Sequence, residues 1–163
     1  MKRSSLAHLT DKGEVRMVKV GDKSKTVRFA IARAEVETTK AVIDAVRRSE
    51  VAKGDVLAVV RIATIGACKR TSELIPLCHP IAVTGVDVQV TLTRTRAVIE
   101  VRVDADDRTG AEMEAMVGAS VGALTFYDMC KSLDRWMKVT QVLLLEKSGG
   151  KSGYQKRPRE ATR

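Results

Sequence analysis

Four groups of residues in this chain carry side chains able to move protons or hold anions. Residues 110–135 read as one long helix, in which Glu112, Glu114, Asp128 and Lys131 interrupt an apolar run rich in small residues from Ala115 to Leu124. Asp128 and Lys131 are three apart and neighbours on a helix surface. Glu114 and Asp128 are fourteen apart, nearly four whole turns, so they fall close to the same face. Charge on an otherwise buried helix is costly unless it is paired or used. A desolvated Asp–Lys pair holds shifted pKa values and can trade protons. The plainer account is a surface ion pair worth a few tenths of a kcal/mol.

The second group is Glu73-Leu74-Ile75-Pro76-Leu77-Cys78-His79-Pro80. Its two prolines predict a rigid, extended loop. A neutral His79 there could exchange a proton near pH 7; a histidine bonded only to backbone is the simpler account. Adjacent Cys78 and His79 seldom point at each other, which speaks against a nucleophile pair. Cys68, Cys78, Cys130 and His79 lack the spacing of a zinc site.

The third group, Lys53-Gly54-Asp55, stands at a predicted helix start, where free amides favour an anion and Lys53 could add charge or carry a proton. A solvated lysine beside an N-cap is the commoner case. The fourth, Lys147-Ser148-Gly149-Gly150-Lys151-Ser152-Gly153, imitates the end of a phosphate-binding loop. Leu145 occupies the place of its first glycine, so it is no Walker motif. A glycine-rich turn with two lysines can still wrap phosphates through its amides; otherwise it is a flexible basic terminus.

The elements that must position these groups follow from periodicity. Residues 26–36 alternate and predict a strand. Thr38-Thr39 caps a helix to about Arg48. Gly54-Asp55 opens a second helix to about Arg70, apolar around most of its circumference and therefore buried on more than one side, by its own domain or by another subunit. Residues 86–92 and 97–104 alternate cleanly and form a hairpin through 93–96. The long helix follows, its small residues at 115, 118, 119, 122 and 123 forming a stripe for close packing. A last strand covers 138–145. The order predicts an α+β, ferredoxin-like sandwich, an antiparallel sheet with helices packed on one face. The expected organisation is an N-terminal arm at 1–25, with a short strand at 15–20, one catalytic domain at 26–150 and a basic C-terminal tail at 151–163.

With 29 Lys and Arg against 20 Asp and Glu, the net charge of +9 suggests an anionic partner. Part of that excess sits in the ends, Lys2 and Arg3, and Lys151, Lys156, Arg157, Arg159 and Arg163. Aromatics make up only 3% of the chain, too few for a platform that stacks unpaired bases, which disfavours nucleic acid. No apolar run reaches the roughly 20 residues needed to span a bilayer, and the polar start shows no signal peptide. Three cysteines without framework spacing fit a reducing cytoplasm.

Taken together, Lys53-Gly54-Asp55, Lys69-Arg70-Thr71-Ser72, Leu77-Cys78-His79-Pro80, Thr109-Gly110-Ala111-Glu112-Met113-Glu114, Tyr127-Asp128-Met129-Cys130-Lys131 and the 147–153 segment resemble, in this order, the cyclic pyranopterin monophosphate synthase family. The resemblance runs from about His8 to Gly153. It implies a ferredoxin-like lyase of molybdenum cofactor biosynthesis that converts 3′,8-cyclo-7,8-dihydro-GTP into cyclic pyranopterin monophosphate and releases pyrophosphate. It also implies a homohexamer, a trimer of dimers with the active site at the dimer interface. Matched position by position, Asp128, Lys131 and Lys53 would be catalytic. Leu77, Cys78, His79, Glu112, Met113 and Glu114 would bind substrate. Arg28, Lys69, Lys147 and Lys151 would suit the triphosphate. No cofactor is required by the sequence, although magnesium could ride on the triphosphate. Ala111, Lys19 and Tyr154 depart from the family's usual Val, Asp and acid. The competing readings are a basic, non-catalytic binder of RNA or nucleotides and, last, an idle homologue serving as an assembly subunit.

Overall fold

The computed structural model describes residues 12–158; His8 and the basic residues Lys2, Arg3, Arg159 and Arg163 lie outside them. Strand β1 (Thr26–Glu37) leads to helices α1 (Lys40–Arg47), α2 (Val56–Cys68) and α3 (Thr71–Leu74). The hairpin β2 (Val83–Leu92) and β3 (Arg96–Asp107) follows, then α4 (Glu112–Cys130), β4 (Lys138–Ser148) and β5 (Gln155–Lys156). The sheet runs β2-β3-β1-β4-β5, and every neighbouring pair is antiparallel. Setting β5 aside, two crossovers flanking a hairpin give the β4-β1-β3-β2 order of a ferredoxin-like fold.

Alternation decides which face the helices cover. In β1, Ala30, Ala32, Ala34 and Val36 are wholly buried, and in β3 so are Ala97, Ile99, Val101 and Val103, while Val27 on the other face of β1 is largely exposed. Opposite this floor α4 buries Ala115, Ala119, Ala123 and Phe126. Alanine facing alanine lets helix and sheet approach closely, and Phe126 fills the space beyond. The small-residue stripe also seats α2 against α4: a Cβ on Gly122 would stand 2.5 Å from Thr64 Oγ1, and one on Gly118 would collide with Cys68 Sγ.

Caps mark the helix starts as expected. The Thr39 hydroxyl accepts from the Val42 amide at 3.4 Å and the Asp55 carboxylate from Ala58 at 3.0 Å. Several boundaries differ. Helix α4 stops at Cys130 rather than 135, because Asp134 turns back to bond the Thr38 hydroxyl and the Trp136 amide. Strand β3 runs to Asp107, three residues past the expected 104, held by pairing with β1 that a single-strand pattern cannot show. The run at 15–20 contributes one bridge residue, Val15, instead of a strand. Part of the loop expected to be extended coils into α3, where the Thr71 hydroxyl bonds the Ala67 and Cys68 carbonyls.

Candidate active site

Two separate clusters form at the two ends of α4. At its C-terminal end Asp128 lies between two lysines. Lys131, one turn on, places Nζ 2.7 Å from Oδ1. Lys53, on the loop before α2, places Nζ 2.6 Å from Oδ2 and 2.7 Å from the Asp128 carbonyl, one of the carbonyls the helix end leaves unpaired. The hydrogen bonds from Lys131 and then Lys53 hold the Asp128 carboxyl down at about 2, and the same bond raises Lys131. Against expectation the group is not desolvated in the single chain: 54% of the Asp128 side chain is exposed. It sits on the last turn of the helix, beyond the packed stripe. Uncovered, it is a stable carboxylate bound to two ammonium groups, with a local charge of +1. The Lys53 segment offers less for an anion than a bare helix start, since Asp55 already occupies one amide.

At the N-terminal end of α4, Glu114 is 2% exposed. The Cys78 thiol donates to its Oε1 at 3.8 Å, and its Oε2 has no partner among the described residues. Burial raises Glu114; burial and then the nearby Glu114 push the Cys78 thiol up to about 11, so Cys78 is a neutral donor rather than a thiolate. Cys68, deeper still, is pushed up to about 12. Glu112 bends over Gly110 and pairs with Lys147 at 2.7 Å. Leu77, Cys78, His79, Glu112 and Met113 line one cavity of about 520 Å³, which Val18 and Lys23 of the arm help to close. Lys69 and Glu114 line a neighbouring cavity of about 490 Å³ between α2 and the start of β2.

Arg28 is 9% exposed and donates from Nε to the Asp107 carbonyl at 2.8 Å. The turn carrying Lys151 lies directly on it. Gly149 and Gly150 have φ of +101° and +68°, and a Cβ on Gly150 would stand 2.5 Å from an Arg28 terminal nitrogen. Two glycines at this point therefore serve both the left-handed turn and the close approach. Beyond the turn, β5 pairs with β4, and Tyr154 bonds Glu146 at 3.0 Å, so the departure at 154 fastens this strand.

The chain thus brings together Asp128, Lys131 and Lys53; Cys78 and Glu114; Glu112 and Lys147; and Arg28 with the 147–153 turn. It does not join the two ends of α4. Glu114 and Asp128 share a face, but at 1.5 Å per residue they stand about 21 Å apart. Asp107 escaped the sequence reading: its carboxylate accepts from the Ala82 and Arg108 amides at 2.8 and 2.7 Å, tying the start of β2 to the end of β3. Nothing in the spacing marks it, because its partners are brought in by the sheet.

The MoaC family model matches residues 17–150, which include both clusters. The chain belongs to the MoaC family. Curated relatives in the family include a protein of Bacillus thuringiensis subsp. konkukian (strain 97-27), 49% identical over 154 residues covering 92% of this chain and 96% of the relative. Proteins of Bacillus cereus (strain B4264) and Bacillus anthracis (strain CDC 684 / NRRL 3495) match with the same identity and coverage. All three bear the name cyclic pyranopterin monophosphate synthase. Among the described residues, no helix of this MoaC family member is long and apolar enough to cross a membrane.

Proposed function

We propose that the chain is a cyclic pyranopterin monophosphate synthase, a lyase acting in molybdenum cofactor biosynthesis. It converts 3′,8-cyclo-7,8-dihydro-GTP into cyclic pyranopterin monophosphate and releases pyrophosphate. The observation that carries this reading is the Lys53–Asp128–Lys131 constellation in a member of this family. The reaction opens and rebuilds a purine-derived ring, which needs proton carriers. It also expels pyrophosphate, which needs cations at the leaving group. Lys53 and Lys131 are ammonium donors aimed at one point, and Asp128 orients both. Its low pKa makes it a weak base while solvated; covering it by substrate or by another protomer would strengthen it.

Leu77, Cys78, His79, Met113 and Glu112 would hold the ring system. The unpartnered Glu114 oxygen would accept one of its N–H groups. Arg28, Lys69, Lys147 and Lys151 would take the triphosphate. Magnesium would arrive on the phosphates, whose oxygens are hard ligands suited to it.

We further propose a homo-oligomer, a hexamer built of dimers with the site at the dimer interface. The separation of the two clusters supports it, since one site using both must draw them from two protomers. So do the apolar side chains that α2 and α4 leave uncovered: Ile62 is 72% exposed and Leu124 60%. Three free cysteines fit a reducing, cytoplasmic setting.

The direct test incubates purified protein with 3′,8-cyclo-7,8-dihydro-GTP and assays both products, beside Asp128→Asn. Wild type is expected to form product. Asp128→Asn is expected to lose at least a hundredfold in kcat while keeping its fold, the range general acid–base groups supply being about 100- to 10,000-fold. Full activity in the folded variant would remove Asp128 from the reaction.

A further inference from the structure

Strand β5 is only two residues long, Gln155 and Lys156, and lies at the edge of the sheet beyond β4. A ladder that short is too weak to hold a hairpin by itself. Side chains supply the rest. Both oxygens of the Glu146 carboxylate on β4 are taken by this segment: Lys156 Nζ stands 2.5 Å from Oε1, and the Tyr154 hydroxyl donates to Oε2 at 3.0 Å. The Tyr154 ring meets Phe29 of β1, with centroids 6.4 Å apart and planes tilted by 48°. Phe29 is itself held by the Arg102 guanidinium, 4.2 Å over its face, and Arg102 is held by Asp104. Where the family usually has an acid, which would repel Glu146, this chain has a hydrogen-bond donor.

These anchors fasten the turn between β4 and β5. The turn carries Lys151 and is closed by the Gly153 amide, which donates to the Gly150 carbonyl at 3.2 Å. The anchors also reach Lys147, because Gln155 is its register partner, and Lys147 pairs with Glu112, which lines the cavity of His79. With Gly149, Gly150 and Gly153 all at positive φ, the turn has much conformational freedom to lose. It keeps one form only when both ends are tied. Pairing of β4 with β1 ties the first end, and Tyr154 ties the second.

We propose that Tyr154 is a positioning residue for the synthase reaction: it clasps the turn so that Lys147 and Lys151 are presented together before substrate arrives. The clasp rests on the synthase reading and deepens it. Tyr154 touches no substrate in this scheme. It acts through the two lysines, by raising the fraction of molecules whose turn is already formed, and apparent affinity scales with that fraction.

The test compares wild type, Tyr154→Phe and Tyr154→Ala as full chains in their native oligomer. Three quantities are read: the rate of trypsin cleavage after Lys151, calorimetric affinity for inorganic pyrophosphate, and steady-state kinetics with 3′,8-cyclo-7,8-dihydro-GTP. Neither substitution changes the charge, so a loss of anion affinity reports the placement of the lysines and not their number. Tyr154→Ala is expected to speed cleavage and to weaken pyrophosphate about tenfold. KM should rise by a similar factor with kcat little changed, the mark of binding shared by ground and transition states. Tyr154→Phe keeps the ring on Phe29 and loses only the bond to Glu146, so it should fall between, at about twofold to fivefold. Wild-type cleavage, affinity and KM in Tyr154→Ala would overturn the clasp. So would a fall in kcat at unchanged KM, or a loss that follows dissociation of the oligomer, which would make Tyr154 an interface residue. A wild type that binds pyrophosphate, loses it on Tyr154→Ala and yet forms no product would overturn the synthase reading and leave the clasp standing. A wild type that neither binds pyrophosphate nor forms product would overturn both.

Discussion

At the scale of single residues, burial separates the acids that the sequence presents alike. Glu114 and Asp128 occupy one face of one helix, yet their carboxyls are driven in opposite directions. Burial raises Glu114, while two lysines hold Asp128 at about 2. The difference has a sign that can be measured. A carboxyl raised in the folded state binds more protons there than in the unfolded chain, so its stabilising effect is complete below the unfolded value near 4.5 and is lost as pH climbs through the folded value. Glu114→Gln should remove that fall. In urea titrations between pH 4 and pH 8, the gap between variant and wild type should widen in the variant's favour as pH increases; a pH-independent gap would place Glu114 in a wetter environment than its 2% exposure describes. Asp128, lowered and well exposed, works the other way, its contribution fading only as pH falls below about 3.8. The sequence marked both residues as candidates. It could not tell them apart, because helical period gives direction around an axis and says nothing of what covers each end.

At the scale of elements, the fit of α2 into α4 is the contact on which both clusters depend. Lys53 enters from the start of α2, and Cys68 and Lys69 from its end. The stripe of small residues was legible from spacing alone, and its partner was not. Gly118 abuts Cys68 Sγ and Gly122 abuts Thr64 Oγ1. Replacing glycine by alanine inside a helix normally gains up to about 1 kcal/mol. Here overpacking should win, and Gly118→Ala should cost about 1–3 kcal/mol in chemical denaturation. Adding Cys68→Ala should return part of that loss, since the sulfur is the atom displaced; strict additivity in the double-mutant cycle would mean the two do not touch. The same principle explains the early end of α4, where the Thr38 hydroxyl and the Asp134 carboxylate meet across 96 positions. The turn of α3 is settled locally instead, by the Thr71 hydroxyl on the Ala67 and Cys68 carbonyls.

At the scale of the whole molecule, the separation of about 21 Å along α4 leads to a clear expectation for mixed oligomers. If one site takes Asp128 from one protomer and His79 from another, Asp128→Asn and His79→Ala are each inactive alone. Refolded together they should regain roughly a quarter of wild-type turnover, because a two-fold interface in a mixed dimer carries one intact and one doubly damaged site. Inactive mixtures whose mixed composition is confirmed by mass would mean that each chain completes its own site. Trp136, 88% exposed on the link after α4, gives a fluorescence signal for following the exchange.

Sequence by itself determined the order of the longer strands and helices, the caps of α1 and α2, and the residue types able to move protons or hold phosphate. These are local or periodic properties, carried by patterns such as Val86, Val88 and Val90 or by Thr39 and Asp55. Tertiary structure alone decided which of those residues meet. It joined Lys53 to Asp128 across 75 positions and Lys147 to Glu112 across 35, set Arg28 beneath a glycine turn, and left Asp128 in water. Distances of this kind follow from sheet register and helix packing, where a single residue's surroundings are supplied by segments far away in the chain.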